Sequence, residues 1–144
     1  MLKVADLMST TLYTLNENDT LQTARTLMTT HRIRHIPIVA GDETFLGLLT
    51  HRDLLSATIS QLAEIDPETQ DEIDAGIPIR EIMRTDVKTT AADVSLRQAA
   101  ETLLHHKYGC LPVLEDFKLI GILTESDFLK LTISLMDSLE QVDI

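Results

Sequence analysis

Two four-residue stretches hold the side chains best suited to chemistry in this 144-residue chain: Thr50-His51-Arg52-Asp53 and Thr124-Glu125-Ser126-Asp127. Each sets a carboxylate three residues after a hydroxyl. Each also ends an apolar run with a glycine (Gly47, Gly121) three residues before the threonine. Two chemistries fit. The first is a capping box, with Thr at the helix N-cap and the acid at N3 bonding back to the N-cap amide. That box favours the longer Glu or Gln, whereas both copies here use Asp. The second is a small-molecule site: a Thr hydroxyl beside helix N-terminal N–H groups suits a phosphate, and an Asp one turn in can accept both hydroxyls of a cis-diol such as a ribose. Each hydrogen bond to a charged acceptor is worth about 1.5–3 kcal/mol, enough to reject a deoxy sugar. Thr50, His51 and Asp53 have the residue types of a catalytic triad. Lying within four consecutive positions at a helix start, they cannot converge as a relay. No phosphate-loop, dinucleotide or nucleophile-elbow motif is present, so no enzymatic activity is expected.

The elements that position these residues come from an internal repeat. Sliding the chain by 75 residues sets Met8 on Met83, Thr10 on Thr85, Thr14 on Thr89, Leu21 on Leu96, Ala24 on Ala99 and Pro37 on Pro112. One residue is then lost in a turn, and at an offset of 74 Gly47, Thr50, Asp53 and Leu55 match Gly121, Thr124, Asp127 and Leu129. Thr20 and Ser95 are good N-caps for amphipathic helices carrying Leu21, Ala24, Leu27 and Met28, or Leu96, Ala99 and Leu103, on one face. Ile36–Val39 and Phe45–Thr50 read as a hairpin, as do Leu111–Leu114 and Leu119–Thr124. Pro37 and Pro112 suggest an edge strand or a strand beginning, because Pro donates no ladder bond. A further helix starts at each motif Thr. The order is strand, helix, strand, strand, helix, written twice. We divide the chain into repeat 1 (1–57), an acidic connector (58–76), repeat 2 (77–133) and a C-terminal tail (134–144). The connector reads as a helix extension ending near Pro67, followed by a solvated stretch.

Composition narrows the classes. The net charge of −11 argues against a nucleic-acid partner, which needs a positive surface. No apolar run approaches the roughly 18 residues of a membrane span, and none reads as a secretory leader. With Cys110 as the lone cysteine, a reducing cytoplasm is the expected location. Cys110 itself reads as a buried small apolar side chain. His31 and His35 are four apart, but Pro37 implies that His35 lies past the helix, so no metal site is expected.

The two G-h-h-T-x-x-D joints (47–53 and 121–127, h being apolar), the I-P-I-V and L-P-V-L strands and the opening D-L-M-S and E-I-M-R segments resemble a tandem pair of CBS (cystathionine β-synthase) domains, or Bateman module. The resemblance covers about residues 4–57 and 77–133. It implies an α+β fold of two β-α-β-β-α repeats about a pseudo-twofold axis. It also implies a regulatory module that binds AMP, ADP, ATP or S-adenosylmethionine, needs no cofactor, and acts in trans on an effector protein. Asp53 and Asp127 would then contact ribose hydroxyls, with Thr50 and Thr124 near phosphate. Each adenine would rest on the other repeat's opening segment, so Asp53 would share a pocket with Asp86 and Val87, and Asp127 with Thr11 and Leu12. Arg34, His35 and Ile36, or Gly109, Cys110 and Leu111, would line the pockets.

The copies differ. Arg32, Arg34, His35, His51 and Arg52 form a cationic cluster in the first, whereas the second has Lys107 but also Glu125, with Ser126 in the place of Arg52. The Asp53 site is therefore expected to prefer phosphorylated ligands, and the Asp127 site to be empty or to take a less charged adenosine compound. In the C-terminal segment Phe128, Leu131, Leu135 and Leu139 form a stripe that Ile133 and Met136 widen, and most of it is expected to pack within the module. Its excess width, with Leu54, Leu55, Ile59 and Leu62 of the first copy, suggests a homodimer. Two other functions stay open: a dimerisation module without a ligand, and a slow nucleotide hydrolase.

Overall fold

The computed structural model describes residues 1–57, 66–106 and 109–142. The fold is α+β, with two small sheets. Its elements are α1 (Val4–Leu7), α2 (Leu21–His31), β1 (His35–Val39), β2 (Phe45–Thr50), α3 (His51–Ser56), α4 (Pro67–Ala75), a 3-10 turn (Ile79–Glu81), α5 (Leu96–His105), β3 (Cys110–Glu115), β4 (Lys118–Thr124) and α6 (Glu125–Val142). The N-caps follow the sequence signals: Thr20 accepts from the Thr23 amide and Ser95 from the Gln98 amide.

β1 pairs antiparallel with β2 in the register His35 to Thr50, Ile36 to Leu49 and Pro37 to Leu48, with an irregularity between Ile38 and Val39. β3 pairs with β4. The expected first strand of each repeat is extended backbone that touches its sheet only at single bridges. Leu15 bridges Ile38 in parallel, and Thr90 bridges Val113 in the same way. Each Pro strand is an edge, one of two strands in its sheet, but neither Pro is a strand beginning, since Pro37 is the third residue of β1 and Pro112 the third of β3. The Pro37 carbonyl accepts from the Leu15 amide at 3.3 Å. Nitrogen and oxygen of one strand residue point the same way, so the missing N–H faces that single bridge and removes no bond from the β1–β2 ladder.

Two compact units result, and they are not the two sequence repeats. One contains residues 13–87 with 117–119; the other contains 1–12, 88–116 and 120–144. The cause is visible in the cores. Leu21, Ala24, Met28, Ile36, Ile38 and Leu49 bury Ile79, from the opening of the second repeat. Their equivalents Leu96, Ala99, Leu103, Leu111, Val113 and Leu123 bury Val4, from the opening of the first. Each opening segment completes the other repeat's core.

The connector also departs from expectation. Residues 58–65, with Ile59 and Leu62 of the expected stripe, lie outside the described residues, as does Lys107. Pro67, however, begins a helix. It sits in the first turn of α4, and Asp66 caps that helix by accepting from the Thr69 amide at 2.7 Å. This bond holds the Asp66 carboxyl below its usual range. Pro fits a first helical position because its missing N–H is not needed there. Nor is the stretch wholly solvated, because Gln70 and Asp74 are buried.

Candidate functional site

The close approach that each motif glycine permits is made by the chain itself. In the first unit the Leu48 amide donates to the Arg84 carbonyl at 2.9 Å, and the Arg84 amide returns a bond to Leu48 at 2.8 Å. A Cβ on Gly47 would lie 2.5 Å from the Arg84 carbonyl oxygen. In the second unit Ser9 and Ile122 exchange the same pair of bonds at 2.9 and 3.0 Å. A Cβ on Gly121 would meet Met8 Sδ at 2.7 Å and the Ser9 carbonyl oxygen at 3.1 Å. Leu48 corresponds to Ile122 and Arg84 to Ser9, so the two junctions are one arrangement made twice. They bring Asp86 and Val87 into the unit of Asp53, and Thr11 and Leu12 into the unit of Asp127, each two and three residues past the bridge.

Both motif acids cap their helices, and the short Asp side chain does reach back. Asp53 Oδ2 accepts from the Thr50 amide at 3.2 Å while Thr50 Oγ1 accepts from the Asp53 amide at 3.1 Å. Asp127 Oδ2 accepts from the Thr124 amide at 2.8 Å and from Thr124 Oγ1 at 3.1 Å, and that hydroxyl also lies 3.0 Å from Ser126 Oγ. Capping uses only one oxygen of each carboxylate.

The second oxygen separates the copies. Asp53 Oδ1 lies 2.8 Å from Arg84 Nη2, and Arg84 Nε donates to Asp53 Oδ2 at 3.1 Å. The guanidinium thus grips both carboxylate oxygens, a bidentate geometry with Asp53 only 12% exposed. At Asp127 the equivalent of Arg84 is Ser9, whose hydroxyl is directed to the Thr11 carbonyl at 3.5 Å. Nothing in the sequence reading singled out Arg84. The signal was there, in the Arg84/Ser9 mismatch at a position whose neighbours Met83/Met8 and Thr85/Thr10 are identical.

The helix N-terminal amides offer less to a phosphate than their positions suggest. The His51 amide donates to the Arg34 carbonyl at 2.8 Å, the Glu125 amide to the Gly109 carbonyl at 3.1 Å, and the Asp53 amide is taken by Thr50. The cationic cluster is gathered elsewhere. Arg25, Arg32, Arg34 and His51 line an open pocket of about 450 Å³ with Met28, Thr29, Ile33 and Leu54. His51 and Leu54 share one face of α3 at i, i+3, whereas Asp53 is turned toward Arg84. The expectation of a single site, with these cations around the Asp53 carboxylate, divides into two faces. Arg52 is exposed on the first turn of α3, and His35 is half-buried opposite Thr50.

Three expected pocket residues are core. Ile36 and Leu111 have no exposed surface and Cys110 has 1%. Burial pushes the Cys110 thiol up to about 12. The histidines do not form a helical pair: His31 ends α2, stacked on Tyr13 with ring centroids 4.1 Å apart, and His35 opens β1. Among the described residues no group of three or more His, Cys, Asp or Glu side chains is placed to hold a metal, and no helix is long and apolar enough to cross a membrane.

Comparison with known proteins accounts for this doubled architecture. The CBS domain family matches residues 4–60 and 79–134, and the chain belongs to that family. A Vibrio cholerae protein described as an acetoin utilization protein (AcuB) superposes with a TM-score of 0.80 at 36% identity, over 98% of this chain and 97% of that one. CBSX2 of Arabidopsis thaliana, solved with AMP, gives a TM-score of 0.79 at 24% identity over 94% of this chain and 99% of its own. The CBS pair of MJ0100, solved with 5′-methylthioadenosine and S-adenosyl-L-methionine, gives 0.76 at 24% identity over 93% and 98%. At 24% identity these last two bear on the fold alone.

Proposed function

We propose that this chain is a regulatory module that binds an adenosine compound at Asp53 and Asp127 and passes its occupancy to an effector protein in trans, in the cytoplasm. It needs no cofactor and has no catalytic role of its own. One observation carries the reading. In both units a Thr-x-x-Asp turn faces the opening segment of the other repeat, so a ligand held by the Asp and resting on Thr11–Leu12 or Asp86–Val87 ties two distant parts of the chain together. Ligand binding then favours one arrangement of those parts, which is what a sensor requires. The fold relatives CBSX2 and MJ0100 bind AMP, S-adenosyl-L-methionine and 5′-methylthioadenosine, all adenosine compounds.

Thermal unfolding with AMP, ADP, ATP and S-adenosylmethionine tests it. A ligand at 100 times its Kd stabilises by about 2.7 kcal/mol, roughly 5–10 °C for a domain of this size. The shift is expected for wild type and lost at one site in Asp53→Ala and at the other in Asp127→Ala. No shift with any of the four compounds overturns the reading.

The α6 face favours a second role, self-association. Phe128 and Leu131 pack on the core, but the stripe does not stay within the module as expected: Leu135 and Leu139 are 56% and 69% exposed, beside exposed Leu129, Ile133 and Met136. An apolar face of this kind is covered in a homodimer. Light scattering should show a dimer for wild type and a monomer for Ile133→Glu/Leu139→Glu. A wild-type monomer at micromolar concentration excludes this role.

A further inference from the structure

Resting on the adenosine reading, we infer that Arg84 is a displaceable latch on the Asp53 site and makes that site selective for ligands that carry a phosphate. The Arg84 fork occupies both oxygens of Asp53, the same two acceptors that a ribose diol would use. Oδ2 is further engaged by the Thr50 amide. Oδ2 is thereby filled and Oδ1 keeps a single acceptor site, so a cis-diol cannot bond to both oxygens while the fork is in place. Release of Asp53 leaves a 38% exposed guanidinium without its carboxylate. A ligand anion restores a bidentate partner, for which the planar guanidinium is suited. A 5′-phosphate on the same nucleoside supplies that anion, whereas a free nucleoside does not.

The second unit is the internal control. The bridge, the glycine and the capping acid are all repeated there, but Ser9 stands where Arg84 stands. Among the described residues no cation is paired with Asp127. The same diol acceptor is therefore reached without breaking an ion pair, and nothing at the bridge position rewards a phosphate. Selectivity between the two sites thus comes from one residue of the opening segments rather than from the arginines around the α2–α3 pocket, which lie on another face of α3.

The test is isothermal titration of the full chain with adenosine and with AMP, for wild type, Arg84→Ser, Arg84→Lys, Ser9→Arg and Asp53→Asn. Asp127→Asn is included in every background except that of Ser9→Arg, so that the Asp53 site is read alone. In wild type the Asp53 site is expected to prefer AMP over adenosine by at least about tenfold, the scale of one charge-assisted hydrogen bond. Arg84→Ser should tighten adenosine and reduce the preference to within about threefold. Arg84→Lys, which keeps the charge but loses the fork, should fall between. Ser9→Arg, measured with Asp53→Asn, should impose the AMP preference on the Asp127 site. An AMP-to-adenosine ratio unchanged by Arg84→Ser, with binding still lost in Asp53→Asn, overturns the latch and leaves the adenosine reading standing. No binding of either compound to wild type or to any variant overturns both. Ser9→Arg gives an independent reading should Arg84→Ser fail to fold.

Discussion

Asp74 has no exposed surface, and its charge is met from two sides. Arg25 Nε donates to Oδ2 at 2.7 Å and Gln70 Nε2 to Oδ1 at 2.8 Å. A buried ion pair adds little net stability when compared with apolar residues of equal volume, but removing one partner leaves an uncompensated charge. Arg25→Ala should therefore cost about 3 kcal/mol, while Arg25→Ala/Asp74→Leu should recover most of the loss. Urea unfolding decides it: equal losses in the single and double variants would mean that the pair is not what holds α4 on α2. The sequence made this contact hard to see, because an Asp inside the acidic run 64–74 looks like one more solvated carboxylate. Arg84 was hidden for a related reason. Its partner is 31 positions away, and spacing along one helix or strand does not reveal such pairs. The motif residues were legible because their cap is local, with both bonds closing over three residues.

Among the elements, the β3–β4 turn carries strain that its sequence announces. Asp116 and Phe117 have φ of 52° and 67°, both in the left-handed region. Two-residue hairpin turns of this kind favour Asn-Gly or Asp-Gly, since an L side chain costs about 1–2 kcal/mol there. Phe117 offsets little of that by burial, being 80% exposed, and its carbonyl bond from the Phe45 amide would survive substitution. Phe117→Gly should therefore stabilise the protein by about 0.5–1 kcal/mol, after the entropy of a more flexible unfolded chain is subtracted. A lower urea midpoint for the variant would show that the ring contributes a contact of its own. Helix and hairpin positions followed from periodicity and caps, and those signals are local. The α4 start was equally local: Asp66-Pro67-Glu68-Thr69 is a cap followed by Pro in the first turn, which marks a helix beginning rather than an end. The outer half of α6 was misjudged for a different reason. An apolar stripe says that something covers it, but not whether the cover belongs to the same chain.

At the scale of the molecule, duplication in sequence and compactness in space follow different boundaries. Composition and repeat matching reveal where a unit is written twice, but they cannot reveal that the two copies exchange their first dozen residues. That exchange rests on Ile79 and Val4, which are fully buried in the opposite repeat's core, and on glycines that admit the backbone of Arg84 and Ser9. The fragment 13–87 keeps a whole core, the β1–β2 hairpin, α2, α4, the Leu48–Arg84 bridge and the Arg84–Asp53 pair, losing the Phe45–Phe117 and Glu43–Leu119 bonds. The fragment 1–57 contains one complete sequence repeat, yet it lacks Ile79 and the bridge partner of Leu48. Removing a fully buried Ile side chain from a core costs about 2–5 kcal/mol, a large share of the stability of so small a domain. The fragment 13–87 should accordingly unfold cooperatively on heating and show dispersed amide resonances, whereas 1–57 should show neither. Cooperative folding of 1–57 would mean that the sequence repeat is the physical unit after all, and that Ile79 fills a core already able to close without it.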